Sequence, residues 1–119
     1  MSDVLNYDKD CLFCKIIKGE IPSNKVYEDD QFYAFYDIDP QAPTHFLVIP
    51  KAHVKSCGEI TGENSALVGH MFEVISKVTK ELGISEFRVV SNCGEQAGQS
   101  VPHLHFHVLA GRDMTWPPG

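Results

Sequence analysis

The sequence predicts an α+β fold: a five-stranded antiparallel sheet with one long and one short helix on one side of it. Three observations carry that expectation. Strand-like runs come in the order strand, strand, strand, helix, strand, strand, which lacks the regular alternation that builds a parallel sheet. Only one segment, residues 64–82, is both long and periodic enough for a multi-turn helix. The last apolar run, residues 101–109, alternates histidine with apolar residues, the period of a strand with two unlike faces.

Residues 1–9 show no period, and residues 1–10 are expected to form a flexible arm ahead of one domain spanning residues 11–119. Asp10 is placed to cap a short helix over residues 11–18, which Gly19 stops. Phe13, Ile16 and Ile17 give that helix an apolar side, suited to core packing or to the wall of a pocket. Residues 25–28 and 32–38 read as a hairpin turned at Asp29-Asp30. A third strand, residues 45–49, is bounded by Pro43 and Pro50 and carries His45 at its entrance. Alone, such a histidine is a hydrogen-bonded structural residue, a reading that changes only if the fold brings it near other histidines.

In the long helix, Leu67, Val68, Met71, Val74, Ile75, Val78 and Leu82 form one stripe at 3.6-residue spacing, with Gly83 as its end. Met71 is core filler, and His70, at the edge of the stripe, is structural. A fourth strand over residues 86–92 leads through the loop 93–100 into the histidine run. Gly94 and Gly98 allow that loop's N–H groups to converge on an anion, although an ordinary flexible turn has the same composition. Trp116, the chain's one tryptophan, needs something to pack on, a partner subunit being one candidate.

At 119 residues and 43% hydrophobic content, the chain holds one core and has no room for a second. Its net charge of −6 argues against non-specific binding to nucleic acid or to an anionic membrane, since both need a basic face. The start Met1-Ser2-Asp3-Val4 lacks a basic and apolar leader, and no apolar run approaches the roughly 18 residues of a membrane span. A cytoplasmic protein is therefore expected, its four cysteines serving as thiols or metal ligands rather than as two disulfides.

As a strand, residues 101–109 would set His103, His105 and His107 on one face and Leu104, Phe106 and Val108 on the other. The plain alternative is a half-buried strand whose polar face happens to be histidine. At about 3.3 Å per residue, His103 and His107 would lie about 13 Å apart, too far to share one ion, though adjacent pairs could chelate. A catalytic metal is disfavoured because neither this strand nor its neighbours supply a carboxylate companion. With Gln99 and Ser100 just upstream, the row suits an extended ligand bearing a phosphate.

The run His103-Leu104-His105-Phe106-His107-Val108-Leu109 resembles the defining motif of the histidine-triad (HIT) superfamily. The similarity continues through residues 32–38, Pro40-Gln41-Ala42-Pro43-Thr44-His45, Gly98-Gln99-Ser100-Val101 and Trp116-Pro117-Pro118-Gly119, covering nearly everything after residue 10. The tail resembles the Hint branch, whose members are purine nucleoside phosphoramidases.

The resemblance implies that His105 attacks the phosphorus of a purine nucleoside 5′-phosphoramidate, an AMP or GMP derivative, while His107, Ser100 and the backbone near Gly98 hold phosphate oxygens and His45 supports them. It further implies that Asp37 binds ribose hydroxyls, that Asn92 and Gln99 serve as polar contacts, and that Phe13, Ile16, Ile21 and Ile38 wall the base. Trp116 would reach a neighbouring subunit's site across a two-fold homodimer that joins the sheets. In related proteins two cysteines and two histidines bind zinc, and Cys11, Cys14, His53 and His103 match those positions. The zinc would be structural, and no cofactor is implied for catalysis; reduced core thiols are the alternative, and Cys57 and Cys93 are left structural. Two further readings stay open: a dinucleoside polyphosphate hydrolase, and a regulatory module that binds nucleotide without turning it over.

Overall fold

A computed structural model describes the protein over residues 8–119. Most of the arm expected over residues 1–10 lies outside the described residues; residues 8–10 form an exposed turn whose Asp8 carbonyl accepts from the Cys11 amide. Two helices, α1 (Leu12–Ile17) and α2 (Ser65–Glu81), accompany five strands: β1 (Lys25–Glu28), β2 (Phe32–Tyr36), β3 (Thr44–Pro50), β4 (Arg88–Val90) and β5 (Phe106–Ala110). Short 3₁₀ turns lie at Cys57–Glu59 and Glu95–Ala97. The sheet is antiparallel throughout, in the order β1-β2-β3-β5-β4.

The two helices lie on opposite faces of the sheet, not on one side as the sequence suggested. In β2 and β3, Phe32, Ala34, Phe46 and Val48 join Met71, Val74, Ile75 and Val78 of α2 in one core. The intervening residues Tyr33, Phe35, Leu47 and Ile49 join Cys11, Phe13, Cys14 and Ile16 of α1 in another. The physical reason is β3 itself, which is apolar at every position from Phe46 to Ile49 and so needs cover on both faces. Each large side chain fully buried here, such as Phe46 or Ile49, is worth roughly 1.5–3 kcal/mol in the area removed from water.

Local chemistry moves several element ends. Cys11, not Asp10, caps α1: its Sγ accepts from the Cys14 amide at 3.3 Å, while the Asp10 amide turns back to the Asp8 side chain. The second strand stops at Tyr36, and β4 shortens to three residues. Leu82, expected in the core, is exposed beyond the end of α2, and Gly83 takes φ +74° there.

The largest departure concerns the histidine run. The β5 ladder begins only at Phe106, so His103, Leu104 and His105 precede it. Pro102 has no N–H to give, the His103 amide bonds the Val101 carbonyl in a turn, and the Leu104 amide reaches across to the Val54 carbonyl at 2.6 Å. These bonds spend the donors that a continued ladder would use, so the three imidazoles do not share one strand face.

Candidate functional site

On the α1 face of the sheet a cavity of about 250 Å³ is walled by Leu12, Phe13, Ile16, Phe35, Leu47 and Val101. Its rim carries Asp37, Ile38, Ser100, His105 and His107. A cavity of the same size between Tyr27 and Lys77 contains none of the triad side chains.

His105 is buried at the polar end, edge-on to the Phe13 ring at 5.1 Å between centroids. Its Nδ1–H donates to the His103 carbonyl at 2.6 Å. That bond leaves Nε2 as a lone pair, and no hydrogen-bond partner meets it among the described residues. Burial holds the ring's pKa below the ordinary 6.5, against the opposing pull of that carbonyl and of Asp37. His105 is thus neutral and nucleophilic near pH 7. The Ser91 hydroxyl donates to the His105 carbonyl at 3.1 Å and steadies the backbone behind the ring.

His107 and His45 come together through sheet register. Leu47 pairs with His107 and His45 with Leu109, so the two histidines are diagonal neighbours on one face, with His45 Nε2 2.9 Å from His107 Nδ1. The direction of this bond follows from one step further back. The Gln41 amide donates to His45 Nδ1 at 3.1 Å, so neutral His45 carries its hydrogen on Nε2 and donates it to His107 Nδ1. His107 must then carry its own hydrogen on Nε2, on a ring that lines the cavity. Burial, with smaller contributions from His105 and His45, depresses His107 to about 4, and burial also lowers His45.

Asp37 Oδ2 stands 3.5 Å from His45 Nε2 and 4.0 Å from His107 Nδ1. The sequence reading found no carboxylate companion for the histidines; the chain turn after β2, tied by the Asp37 amide to the His45 carbonyl, brings one in. Two imidazoles and a carboxylate at such distances could hold a cation. The Gln41 amide opposes that use, because a metal on His45 Nε2 would force the imidazole hydrogen onto Nδ1 to face another donor. The Gln41 amide and the two imidazoles form a hydrogen-bonded chain, with the Asp37 carboxylate beside it.

His103 belongs to a separate cluster. Its ring is fully buried and its Nε2–H donates to the Pro50 carbonyl at 2.8 Å, which turns the Nδ1 lone pair toward Cys11 Sγ at 3.2 Å, Cys14 Sγ at 3.6 Å and His53 Nδ1 at 3.2 Å. His53 Nδ1 is also 3.4 Å from Cys14 Sγ. Tetrahedral zinc, with bonds of about 2.3 Å to sulfur and about 2.0–2.1 Å to imidazole, requires ligand separations of about 3.3–3.8 Å. The four donors therefore fit such an ion, and the Pro50 carbonyl supplies the usual outer support of a ligating imidazole. Burial pushes the Cys14 thiol up to about 11 and His103 down to about 4, so these two groups are neutral near pH 7.

The remaining sequence candidates are distributed as follows. Ser100 and Ile38 reach the cavity, Ile38 almost fully exposed at its lip. Gln99 is occupied by backbone groups: Nε2 donates to the Lys55 and Val101 carbonyls and Oε1 accepts from the Gly94 amide. Asn92 packs beside Gly98, which takes φ +97°, and Ile21 packs into the α1 core. Trp116 is 82% exposed, away from its own chain's cavity. Cys93 Sγ lies 3.3 Å from the Ser56 hydroxyl, and Cys57 packs on the α2 core. His70 is exposed beside Glu73.

Sequence reasoning missed Gln41, Ser91 and Lys51. The first two act through a backbone amide and a hydroxyl, which leave no trace in periodicity. Lys51 is buried with Nζ 2.9 Å from Glu28 Oε2, a bond that lowers the Glu28 carboxyl and pins the end of β3 beside Pro50.

Residues 10–116 match the family model described as scavenger mRNA decapping enzyme C-term binding. A HIT family hydrolase from Legionella pneumophila Philadelphia 1 superposes with a TM-score of 0.89 at 46% identity, over 92% of this chain and 100% of that one. A HIT-like protein of Synechococcus elongatus is 47% identical over 93% of this chain and 98% of its own length. The 14 kDa zinc-binding protein of Zea mays is 47% identical over 94% of this chain and 90% of its own.

Proposed function

The chain belongs to the histidine-triad family, and from that premise we propose that it hydrolyses purine nucleoside 5′-phosphoramidates through a nucleotidyl-histidine intermediate on His105. One observation carries the reading: two adjacent imidazoles face one cavity with opposite polarity, a lone pair on His105 Nε2 and a hydrogen on His107 Nε2. A nucleophile beside a donor is what phosphoryl transfer requires.

His105 Nε2 attacks phosphorus, the phosphorus–nitrogen bond breaks, and its electron pair leaves on the amine, which takes up a proton. Water then attacks phosphorus, the bond to His105 breaks, and the nucleoside monophosphate departs. His107 Nε2–H and the Ser100 hydroxyl donate to phosphoryl oxygens as charge develops, together with amides near Gly98. Asp37 both steadies the His45–His107 pair and offers its carboxylate to ribose hydroxyls; Asn92 and Gln99 shape the phosphate loop. Phe13, Ile16 and Ile38 sandwich the base, with Ile21 behind them.

A structural zinc held by Cys11, Cys14, His53 and His103 is part of this reading. Its four protein ligands leave no open position, so it would stiffen the junction between α1 and the histidine run and take no part in turnover. A two-fold homodimer is supported by the exposed Phe72 and Phe87, which line one cavity next to the short edge strand β4. Trp116 would complete the neighbour's site. No helix among the described residues is long and apolar enough to cross a membrane, and four free thiols accord with a cytoplasmic location.

A dinucleoside polyphosphate would add phosphates that want cations, and among the described residues no lysine or arginine lines the cavity, which favours the phosphoramidate. The test is amine release from an adenosine 5′-phosphoramidate, with trapping of nucleotidylated protein. Release in the wild type and its loss in His105→Ala are expected. Turnover surviving in that variant overturns the mechanism, and tight nucleotide binding without turnover would mark a binding module instead.

A further inference from the structure

We propose that Arg112 is a positioning residue that sets the polarity of the His45–His107 pair from the C-terminal tail, by holding Gln41 where its amide can donate to His45. The catalytic part of this inference rests on the reading of His107 as the phosphoryl donor; the structural part does not.

The contacts form one continuous path. Arg112 Nε–H donates to the Gln41 carbonyl at 2.9 Å, the Gln41 amide donates to His45 Nδ1 at 3.1 Å, and His45 Nε2–H donates to His107 Nδ1 at 2.9 Å. Two prolines, Pro40 and Pro43, bracket Gln41-Ala42 and have no amide to give; within the loop Gln41 Nε2 donates to the Asp39 carbonyl at 3.0 Å and the Asp39 amide to Asp37 Oδ1 at 2.8 Å, while the Gln41 carbonyl is bonded by the tail. The tail meets this loop at two points. Besides the Arg112 bond, Gly111 at φ +98° lies so close to Pro43 that an added Cβ would stand 2.9 Å from the proline's own. Arg112 is itself braced by Nη1 on the Asp113 carbonyl, and the tail is anchored again where Arg88 Nη2 donates to the Thr115 carbonyl.

Gln41 matters because a neutral imidazole has two tautomers, and a donor at one nitrogen selects between them. With the Gln41 amide in place, hydrogens run from His45 toward His107 and out to the cavity. With Gln41 displaced, His45 can carry its hydrogen on Nδ1 and accept at Nε2. His107 then donates backward, and its Nε2 turns a lone pair toward the phosphoryl oxygens. Binding through the apolar walls is untouched by that reversal, whereas stabilisation of the reacting phosphoryl group is lost.

The experiment compares wild type, Arg112→Ala and Arg112→Lys by ring-¹⁵N NMR of the unliganded protein and by steady-state kinetics on an adenosine 5′-phosphoramidate. In wild type, His45 should show one protonated nitrogen, Nε2. In Arg112→Ala a second tautomer should appear, with kcat down about tenfold and KM within about twofold. Arg112→Lys, which keeps a donor, should lie between the two. The proposal is overturned if Arg112→Ala keeps the single Nε2–H tautomer, whatever its activity, or if an altered tautomer leaves kcat unchanged. If wild type itself releases no amine while the tautomer still responds to Arg112, the phosphoramidase reading fails and the positioning role stands.

Discussion

The three histidines of one short run end in two environments, and the contrast between them separates structure from chemistry. His103 bonds a carbonyl through Nε2 and turns Nδ1 to a buried cluster of two thiols and a second imidazole. His105 does the reverse: Nδ1 bonds a carbonyl and Nε2 faces the cavity. Both rings touch Phe13, at 5.9 and 5.1 Å between centroids, and both are buried. Burial therefore does not decide which histidine can react. The decision rests on which nitrogen the backbone occupies and what the other one meets, a closed donor set in one case and a ligand-sized opening in the other.

The contrast is broken most directly by removing each ring in turn. His105→Ala should lower kcat for a phosphoramidate on the order of 10⁴-fold while leaving the folded protein's metal content unchanged. His103→Ala should do the opposite in kind. Elemental analysis of the purified variant should find zinc lost, and thermal unfolding should show Tm down by about 10 °C or more, as should exhaustive chelation of the wild type. A chelated protein that keeps its fold at the assay temperature yet loses all turnover would merge the two clusters into one centre and end the distinction.

How much of this was legible in the sequence follows from the same residues. Alternation along residues 101–109 singled out the three histidines, and turns at Gly19 and Gly83 and the stripe through Met71, Val74, Ile75 and Val78 placed the helices. Alternation also misled, because Pro102 and the Leu104–Val54 bond hold residues 103–105 off the ladder, and no period records a bond to a distant carbonyl. From its residues alone His45 read as structural, and only the resemblance drew it toward the phosphate; register sets it beside His107, and the turn after β2 brings Asp37 to the same pair as the carboxylate that the strand pattern did not supply. The sided placement of the helices was missed for a related reason: four consecutive apolar residues in β3 say that both faces need cover but not which helix covers which.

Acid sharpens the comparison without any substitution. Burial places His107 at about 4 and holds His105 below 6.5, so both rings take up a proton at lower pH than an exposed imidazole does. The acid limb of kcat/KM for a phosphoramidate should therefore be centred below 6.5, the value of an exposed imidazole. An acid limb centred at 6.5 or above would show rings that titrate as if exposed. Stability moves the same way. The unfolded chain binds a proton at His107 near 6.5 and the folded protein only near 4, so the unfolded state holds more protons between those values. Stability is then full above 6.5 and declines on acidification toward 4, by on the order of 3 kcal/mol for this ring.

The smallest expected effect is the most selective. The Ser91 hydroxyl touches neither cavity nor cysteine; it donates only to the His105 carbonyl, from the segment after β4. Ser91→Ala removes one partly buried hydrogen bond, which should cost about 1 kcal/mol in denaturant unfolding and loosen the backbone that aims His105 Nε2. A group that must lie within a few tenths of an ångström of its attack line loses rate when its support relaxes, so kcat should fall about threefold with KM unchanged. Zinc content should stay at the wild-type value, because His103 is held from the other side by the Pro50 carbonyl. A variant that instead sheds metal while keeping kcat would mean that residues 103–105 move as one rigid piece, and that the two clusters, though chemically distinct, share a single mechanical support.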